Sequence, residues 1–302
     1  MKLGITGLGR MGANMGERLV RAGHSVVGHS RSSATVELSE KRGIAGTASL
    51  DELVGKLEEP RVLWMMIPAG APVDATVQKL LPRLSDGDVI VDGGNSNFKD
   101  SMRRYGTAKE RGVGYVDVGT SGGIWGLEEG YSMMVGGDAA HVDLVRPALE
   151  SLAPGPERGW GHVGPAGSGH FAKMVHNGVE YGMMQAYAEG FDLLQAKGEF
   201  ELDLHQVAEV WRYGSVVRSW LLDLCSDALG ENPELDGIEP YVEDSGEGRW
   251  TVFESIDMDV PAPIISLSLM MRLASRDEKG FSSRLLAAMR NKFGGHSIKT
   301  SD

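Results

Sequence analysis

The chain has 302 residues, 41% hydrophobic and 24% charged, with a formal net charge of −12. That length accommodates two domains, or one large one with a substantial core, and the composition is that of a soluble globular protein. The negative balance argues against a nucleic-acid or anionic-membrane surface, so the positive partners of any anionic ligand have to be concentrated locally.

No apolar run is long enough to span a bilayer, and the N-terminus passes straight into a strand and a glycine loop. A secretory signal is therefore not expected, and a cytoplasmic location is. The single cysteine, Cys225, excludes an internal disulfide and fits a reducing compartment. Its apolar surroundings, Trp220 to Leu224, read as structural burial and not as a nucleophile's setting. Cys/His spacing of the metal-binding kind is absent, so no metal is expected, and no internal repeat is visible.

Lys2 to Thr6 reads as a short buried strand that runs directly into Gly7-Leu8-Gly9-Arg10-Met11-Gly12, and Asn14 to Ala22 continues as a helix ending at Gly23. This is G-x-G-x-x-G in the setting it requires, strand before and helix after. Gly7 permits the tight turn, Gly9 lets the backbone approach a pyrophosphate, and Gly12 allows close helix–strand packing. The helix start offers free N–H groups and a positive dipole end to the phosphates. A second strand, Ser25 to His29, ends at Ser30-Arg31-Ser32-Ser33, where an acidic residue would hold the ribose of NAD. None is present. Ser30 and Ser32 with Arg31 between them suit a 2′-phosphate, the guanidinium acting as a charge-assisted fork. NADP is the preferred cofactor, and NAD stays open because an arginine also stacks on adenine without selecting the phosphate.

Further strands at Arg61 to Ile67, Asp88 to Asp92, Tyr115 to Val118 and Ser132 to Val135 alternate with helical patterns near 49–57, 73–84, 99–111 and 139–152. The alternation predicts an α/β fold with a doubly wound, mostly parallel Rossmann-type sheet. Ligands in such sheets sit beyond the C-terminal strand ends. Three glycine-rich turns fall there: Pro68 to Pro72 on the cofactor side, Gly93 to Ser96, and Thr120 to Gly123. They are either plain turn chemistry or the rim of a site, and three in succession favour the rim. Pro154 to Pro165 reads as a linker.

From Gly167 to Gln195 the sequence reads as one long helix with Ser168 as its cap. Phe171, Met174, Val175, Val179, Met183 and Ala186 form an apolar stripe. Lys173, His176, Asn177 and Glu180 fall at i, i+3, i+4 and i+7, which places an amine, an imidazole, an amide and a carboxylate on one face. A wet helix with a local Lys–Glu pair is the plain alternative. However, Gly178 and Gly182 in mid-helix each cost about 1 kcal/mol relative to Ala, which points to something approaching that backbone closely. More helical segments follow at 203–211, 216–229, 250–256, 264–275 and 281–291. The expected organisation is a dinucleotide-binding domain over 1–165 and an all-α substrate and dimerisation domain over 166–302, meeting at a cleft. The closing Phe293-Gly294-Gly295-His296 is either frayed or reaches a neighbouring subunit.

Taken together, GLGRMG at 7–12, DGGNS at 92–96, TSGG at 120–123, GHFAKMVHNGVEYGMMQAYAEG at 169–190, SGEGRWT at 245–251 and FGGH at 293–296 resemble the 6-phosphogluconate dehydrogenases in their shorter form. The wider β-hydroxyacid dehydrogenase superfamily shares the glycine loop and a helix lysine, but not the Lys-x-x-His-Asn-x-x-Glu-Tyr set. The resemblance implies Lys173 as general base, Glu180 as general acid and Asn95 near the nicotinamide. It implies that Ser121, Gly122 and Gly123, with His176 and Asn177, cradle the hydroxyl and carboxylate of a phosphorylated sugar acid. Tyr181, Arg272, Arg290 and His296 would make its phosphate and distal contacts, the last two from a partner subunit in long forms. A homodimer or homotetramer is implied. One lysine of the family's phosphate site has no clear match, and the large helical C-terminal region of long forms is missing. The implied reaction is oxidation with loss of CO2. The nearest rival is a β-hydroxyacid dehydrogenase that oxidises an unphosphorylated acid without decarboxylation.

Overall fold

The computed structural model describes residues 1–300; the side chain of Phe293 and residues 301–302 lie outside that description. Among the described residues the chain forms an eight-stranded sheet and thirteen α-helices. They divide into two compact units, Met1–Asn177 and Gly178–Asp302.

The first unit alternates strand and helix in chain order: β1 Lys2–Thr6, α1 Arg10–Arg21, β2 Ser25–His29, α2 Ser33–Glu40, β3 Ala45–Thr47, α3 Leu50–Gly55, β4 Val62–Met65, α4 Ala71–Leu80, β5 Val89–Asp92, α5 Phe98–Lys109, β6 Gly114–Ser121, α6 Gly126–Glu129, β7 Ser132–Gly136, α7 Ala139–Leu152 and β8 Trp160–Gly164. The sheet order is β3-β2-β1-β4-β5-β6-β7-β8, with only the β6–β7 pair antiparallel. Chain order reverses between β1 and β4, the switch point at which doubly wound sheets bind dinucleotides. Every residue of β4 and β5 is buried, as expected of parallel strands covered on both faces. One apolar cluster, including Ile5, Leu19, Val91 and Val145, fills one side, and another, including Leu53, Leu63, Val77 and Ile90, fills the other.

The stretch expected to be a linker contains β8, which pairs with β7. Its sequence, WGHVG, lacks β-branched alternation, and its residues are half-buried or, at His162 and Val163, exposed, so no period-2 signal exists. The short β3, α2 and α6 also go beyond the sequence expectation. Ser32 caps α2 by accepting the Thr35 amide at 3.3 Å.

A single helix, α8 (Ser168–Ala196), runs on from the sheet, and the two units divide within it. Ser168 is its first residue and not its cap: the Ser168 hydroxyl is buried and has no hydrogen-bond partner among the described residues. The carboxylate of Asp117 in β6 takes that role, accepting from the amides of Gly167 at 2.6 Å and His170 at 2.9 Å. A fully buried carboxylate is thereby satisfied by orphan helix donors and by the positive end of the dipole.

In the second unit follow α9 Leu204–Arg212, α10 Trp220–Glu231, α11 Glu247–Asp257, α12 Pro263–Ala274 and α13 Phe281–Gly294. Asp203 and Ser219 cap α9 and α10 through the amides of Gln206 and Leu222. Phe191, Ala208, Leu222 and Leu229 form one small core, with Cys225 against it. Burial pushes the Cys225 thiol up, which suits packing and not nucleophilic attack. The apolar stripe expected along α8 holds from Phe171 to Val175, which are buried or half-buried, but not from Val179 on: Val179, Met183 and Ala186 are exposed on the single chain, and Tyr181 and Phe191 are buried instead. No helix among the described residues is long and apolar enough to cross a membrane.

Candidate active site

The turn between β1 and α1 has the shape its glycines imply. Gly7 sits at φ 95°, and a Cβ there would stand 2.3 Å from the Met66 carbonyl oxygen. A Cβ on Gly12 would stand 2.0 Å from the Gly7 carbonyl oxygen, so helix and turn touch backbone to backbone. Gly9 differs: the space a Cβ would take is open, and as N-cap of α1 it offers no side chain to the first-turn amides of Arg10, Met11 and Gly12. Open space before unsatisfied N–H donors is what a pyrophosphate requires. Leu8 beside it is buried in the core. Past β2, Ser30 and Arg31 line a cavity of about 400 Å³ with Glu37, Glu40 and Thr47. The Ser30 hydroxyl accepts the Ser32 amide at 3.4 Å.

The strand-end turns form a continuous rim. Asn95, after β5, adopts the left-handed backbone (φ 53°), and its side-chain amide mimics a peptide: Nδ2 donates to the Thr120 carbonyl at 2.9 Å and Oδ1 accepts the Thr120 amide at 2.8 Å. One N–H and one lone pair of that amide remain. Thr120 leads into Ser121, Gly122 (φ 130°) and Gly123 (φ 51°). Pro68 lies in the turn after β4, between Ile67 and Ala69.

Lys173 lies beside this rim, at Gly119 of β6. Its Cβ is 2.3 Å from where a Cβ on Gly119 would be, so the lysine stem crosses β6 at a residue without a side chain. Gly169, one turn earlier, packs against the backbones of β6 and β7: a Cβ there would meet the Met134 oxygen at 2.4 Å and the Asp117 oxygen at 2.5 Å. Lys173 is 5% exposed. Its Nζ donates to Asn177 Oδ1 and lies 3.2 Å from His176 Nδ1. Amine, imidazole and amide thus sit together, two residues of β6 away from Ser121. Among the described residues, no three His, Cys, Asp or Glu side chains are placed to hold a metal ion.

Glu180 lies on the same helix, two turns beyond Lys173 and about 10.5 Å along the axis. The close approach expected at the mid-helix glycines is present: Thr251 stands 2.8 Å from where a Cβ on Gly178 would be, and Ile264 3.3 Å from one on Gly182. The second unit brings Tyr181 and Arg272 together, with the Arg272 guanidinium carbon 3.5 Å from the ring centroid. The Tyr181 hydroxyl donates to Asp244 Oδ1 at 3.2 Å, and Arg249 binds Asp244 Oδ2 through Nε at 2.9 Å and Nη2 at 2.8 Å. Against its burial, that fork holds the Asp244 carboxyl below its usual range. Arg290 is exposed on α13, and the His296 carbonyl accepts from Asn291 Nδ2 at 2.9 Å.

Residues 2–164 match the NAD binding domain of 6-phosphogluconate dehydrogenase, and residues 169–283 match the 6-phosphogluconate dehydrogenase C-terminal domain. The chain belongs to the 6-phosphogluconate dehydrogenase family. Within that family it is 45% identical, over the full length of both chains, to the NAD(+)-dependent, decarboxylating 6-phosphogluconate dehydrogenase of Haloferax volcanii. It is 37% identical to the NADP(+)-dependent, decarboxylating enzyme of Bacillus subtilis, with 95% of this chain matched to 64% of that one. The solved Plasmodium falciparum 6-phosphogluconate dehydrogenase, described with its cofactor NADP+ and its substrate 6-phosphogluconate, superimposes with a TM-score of 0.86 at 29% identity over 100% of this chain and 66% of its own. The chain spans the whole length of the first of these relatives and about two thirds of the length of the other two.

Proposed function

We propose that this chain is an NAD(P)-dependent decarboxylating 6-phosphogluconate dehydrogenase, converting 6-phosphogluconate to ribulose 5-phosphate and CO2 in the cytoplasm. The observation that carries the reading is the buried Lys173 amine, held by Asn177 and His176 and seated over Gly119 beside the Asn95–Ser121 rim. In this reading residues 1–165 bind the dinucleotide, and 166–302 bind the substrate's far end and self-associate.

Gly7 to Gly12 would hold the pyrophosphate, with Ser30, Arg31 and Ser32 at the adenosine ribose and Pro68 and Asn95 toward the nicotinamide. When bound, the dinucleotide supplies one piece of chemistry: it accepts hydride from C3. Lys173, neutral, takes the proton of the C3 hydroxyl. Once protonated, it donates a hydrogen bond to the carbonyl oxygen as charge develops there and C1 departs as CO2. Glu180, protonated, then delivers a proton to C1 of the resulting enediol. A β-keto acid carries its own electron sink, so this route asks for no metal. Ser121, Gly122, Gly123, His176 and Asn177 orient the carboxylate and hydroxyls. Tyr181 and Arg272, with Arg290 and His296 of a second copy, bind the phosphate end. Support for that second copy comes from α13: Phe281, Leu285, Leu286 and Met289 are all exposed on the single chain. A monomer by sedimentation would refute the shared site.

The deciding assay follows NAD(P)H and CO2 together from 6-phosphogluconate. One CO2 per reduced dinucleotide is expected; oxidation without CO2 would move the chain to the β-hydroxyacid dehydrogenase alternative. Arg31→Ala separates the cofactors. A charge-assisted bond to a 2′-phosphate contributes about 1.5–3 kcal/mol, so the NADP KM should rise roughly 10- to 100-fold while the NAD KM stays nearly constant. Equal losses for both would show that Arg31 stacks on adenine.

A further inference from the structure

Beneath the rim lies a buried ionic hub that the proposed mechanism does not use. Asp92, the last residue of β5, is fully buried. Its Oδ2 accepts from the Tyr115 hydroxyl at 2.7 Å, from Ser96 Oγ at 2.8 Å and from Arg104 Nη1 at 3.3 Å, and its Oδ1 accepts the Gly94 amide at 3.3 Å. Gly94 and Ser96 flank Asn95, whose own amide is pinned to Thr120. Arg104, on α5, is 1% exposed. Besides Asp92, it donates through Nη2 to the Gly70 carbonyl at 3.1 Å and through Nε to Asp74 Oδ1 at 2.7 Å. Gly70 lies in the turn after β4, and Asp74 in the first turn of α4. Burial, then the neighbouring Asp92, push the Tyr115 phenol well above its usual value, so it stays a donor.

We infer that Arg104 is a positioning residue that fixes the spacing between the Pro68–Pro72 turn and the Asn95–Ser121 rim, and so between the nicotinamide and the substrate carbon that gives up hydride. The inference rests on the function proposed above. A buried ion pair is weak evidence for stability, because an apolar replacement of similar volume often stabilises as well or better. What an apolar side chain cannot do is reach two turns at fixed angles. A planar guanidinium, with five donors in a rigid fork, can. A lysine ammonium keeps the charge but is a single point on a flexible stem.

The test compares wild type with Arg104→Lys and Tyr115→Phe as full chains. For Arg104→Lys the KM for the dinucleotide is expected to rise and kcat to fall, each by about ten-fold or more. The dissociation constant for 6-phosphogluconate alone should stay within about two-fold. The primary isotope effect on kcat with substrate deuterated at C3 should increase, since a misplaced donor makes hydride transfer slower than the steps around it. Tyr115→Phe removes one bond to Asp92 and no charge, and should shift the same constants in the same direction by a smaller factor. A purely structural hub predicts otherwise: a lower unfolding midpoint, with wild-type KM, kcat and isotope effect at low temperature. That outcome overturns the inference. If Arg104→Lys does not fold, Tyr115→Phe decides alone, and unchanged constants overturn it. If the wild type does not oxidise 6-phosphogluconate, the functional reading fails. The hub is then tested by titrating NADPH fluorescence, where weaker binding by Arg104→Lys keeps it and equal binding overturns it.

Discussion

Replacing Lys173 by methionine is expected to lower kcat by about 10³-fold or more while leaving dinucleotide affinity near that of the wild type. Methionine matches the length and apolar character of the lysine stem, which must cross Gly119 without a clash. The change therefore removes the amine and little else. Both proposed roles vanish together, proton acceptor from the C3 hydroxyl and donor to the developing oxyanion. A lysine that served only as a fixed charge would behave differently, and Lys173→Arg exposes the difference. Arginine keeps the charge and the donors but stays protonated at any working pH, so it cannot accept a proton. Kinetics close to wild type for Lys173→Arg would reduce Lys173 to an electrostatic anchor. Kinetics close to wild type for Lys173→Met would remove it from the mechanism.

Much of this site was legible in the sequence because short-range rules place its parts. The glycine loop had its strand before and its helix after, so its geometry followed from local chemistry, and the i, i+3, i+4, i+7 set on α8 needs only helical periodicity. Contacts set by the tertiary fold were not legible. Asp117 in VDVGTSGG reads as an acidic residue in a strand, yet it caps a helix 50 residues later. Gly119 and Gly169 are unremarkable letters among 42 glycines, and only the packing shows that they are the crossing point. A lone glycine inside a strand does signal close approach of another backbone, and for Gly119 that signal was available. Arg249 in SGEGRWT is visible as a motif residue, but its two hydrogen bonds to Asp244 Oδ2, beside the Tyr181 hydroxyl on Oδ1, are not. The apolar stripe of α8 shows the opposite error. Periodicity finds an apolar face but not what covers it, and from Val179 on that face is bare on the single chain.

Gly169→Ala tests whether that crossing sets the chemistry. The new Cβ would lie 2.4 Å from the Met134 oxygen, 2.5 Å from the Asp117 oxygen and 2.7 Å from the Gly136 nitrogen. All three atoms are backbone of β6 and β7, hydrogen-bonded into the sheet, so none can rotate aside as a side-chain terminus would. The start of α8 has to lift. Overpacking typically costs about 1–3 kcal/mol and occasionally more, and here the upper end applies, because lifting the helix also stretches the bonds from Gly167 and His170 to the buried Asp117 carboxylate. Lys173, one turn on, moves with it, and a displacement of about 1 Å at a reacting group can cost on the order of 10²-fold in rate. Gly190→Ala on the same helix is the control, since among the described residues nothing apart from the helix's own neighbouring backbone lies within 4 Å of where its Cβ would stand. There alanine should stabilise by roughly 0.5–1 kcal/mol and leave kcat alone. Urea unfolding and steady-state kinetics on the two variants give the answer. If Gly169→Ala keeps both its midpoint and its kcat, the backbone contact between α8 and the sheet does not position Lys173.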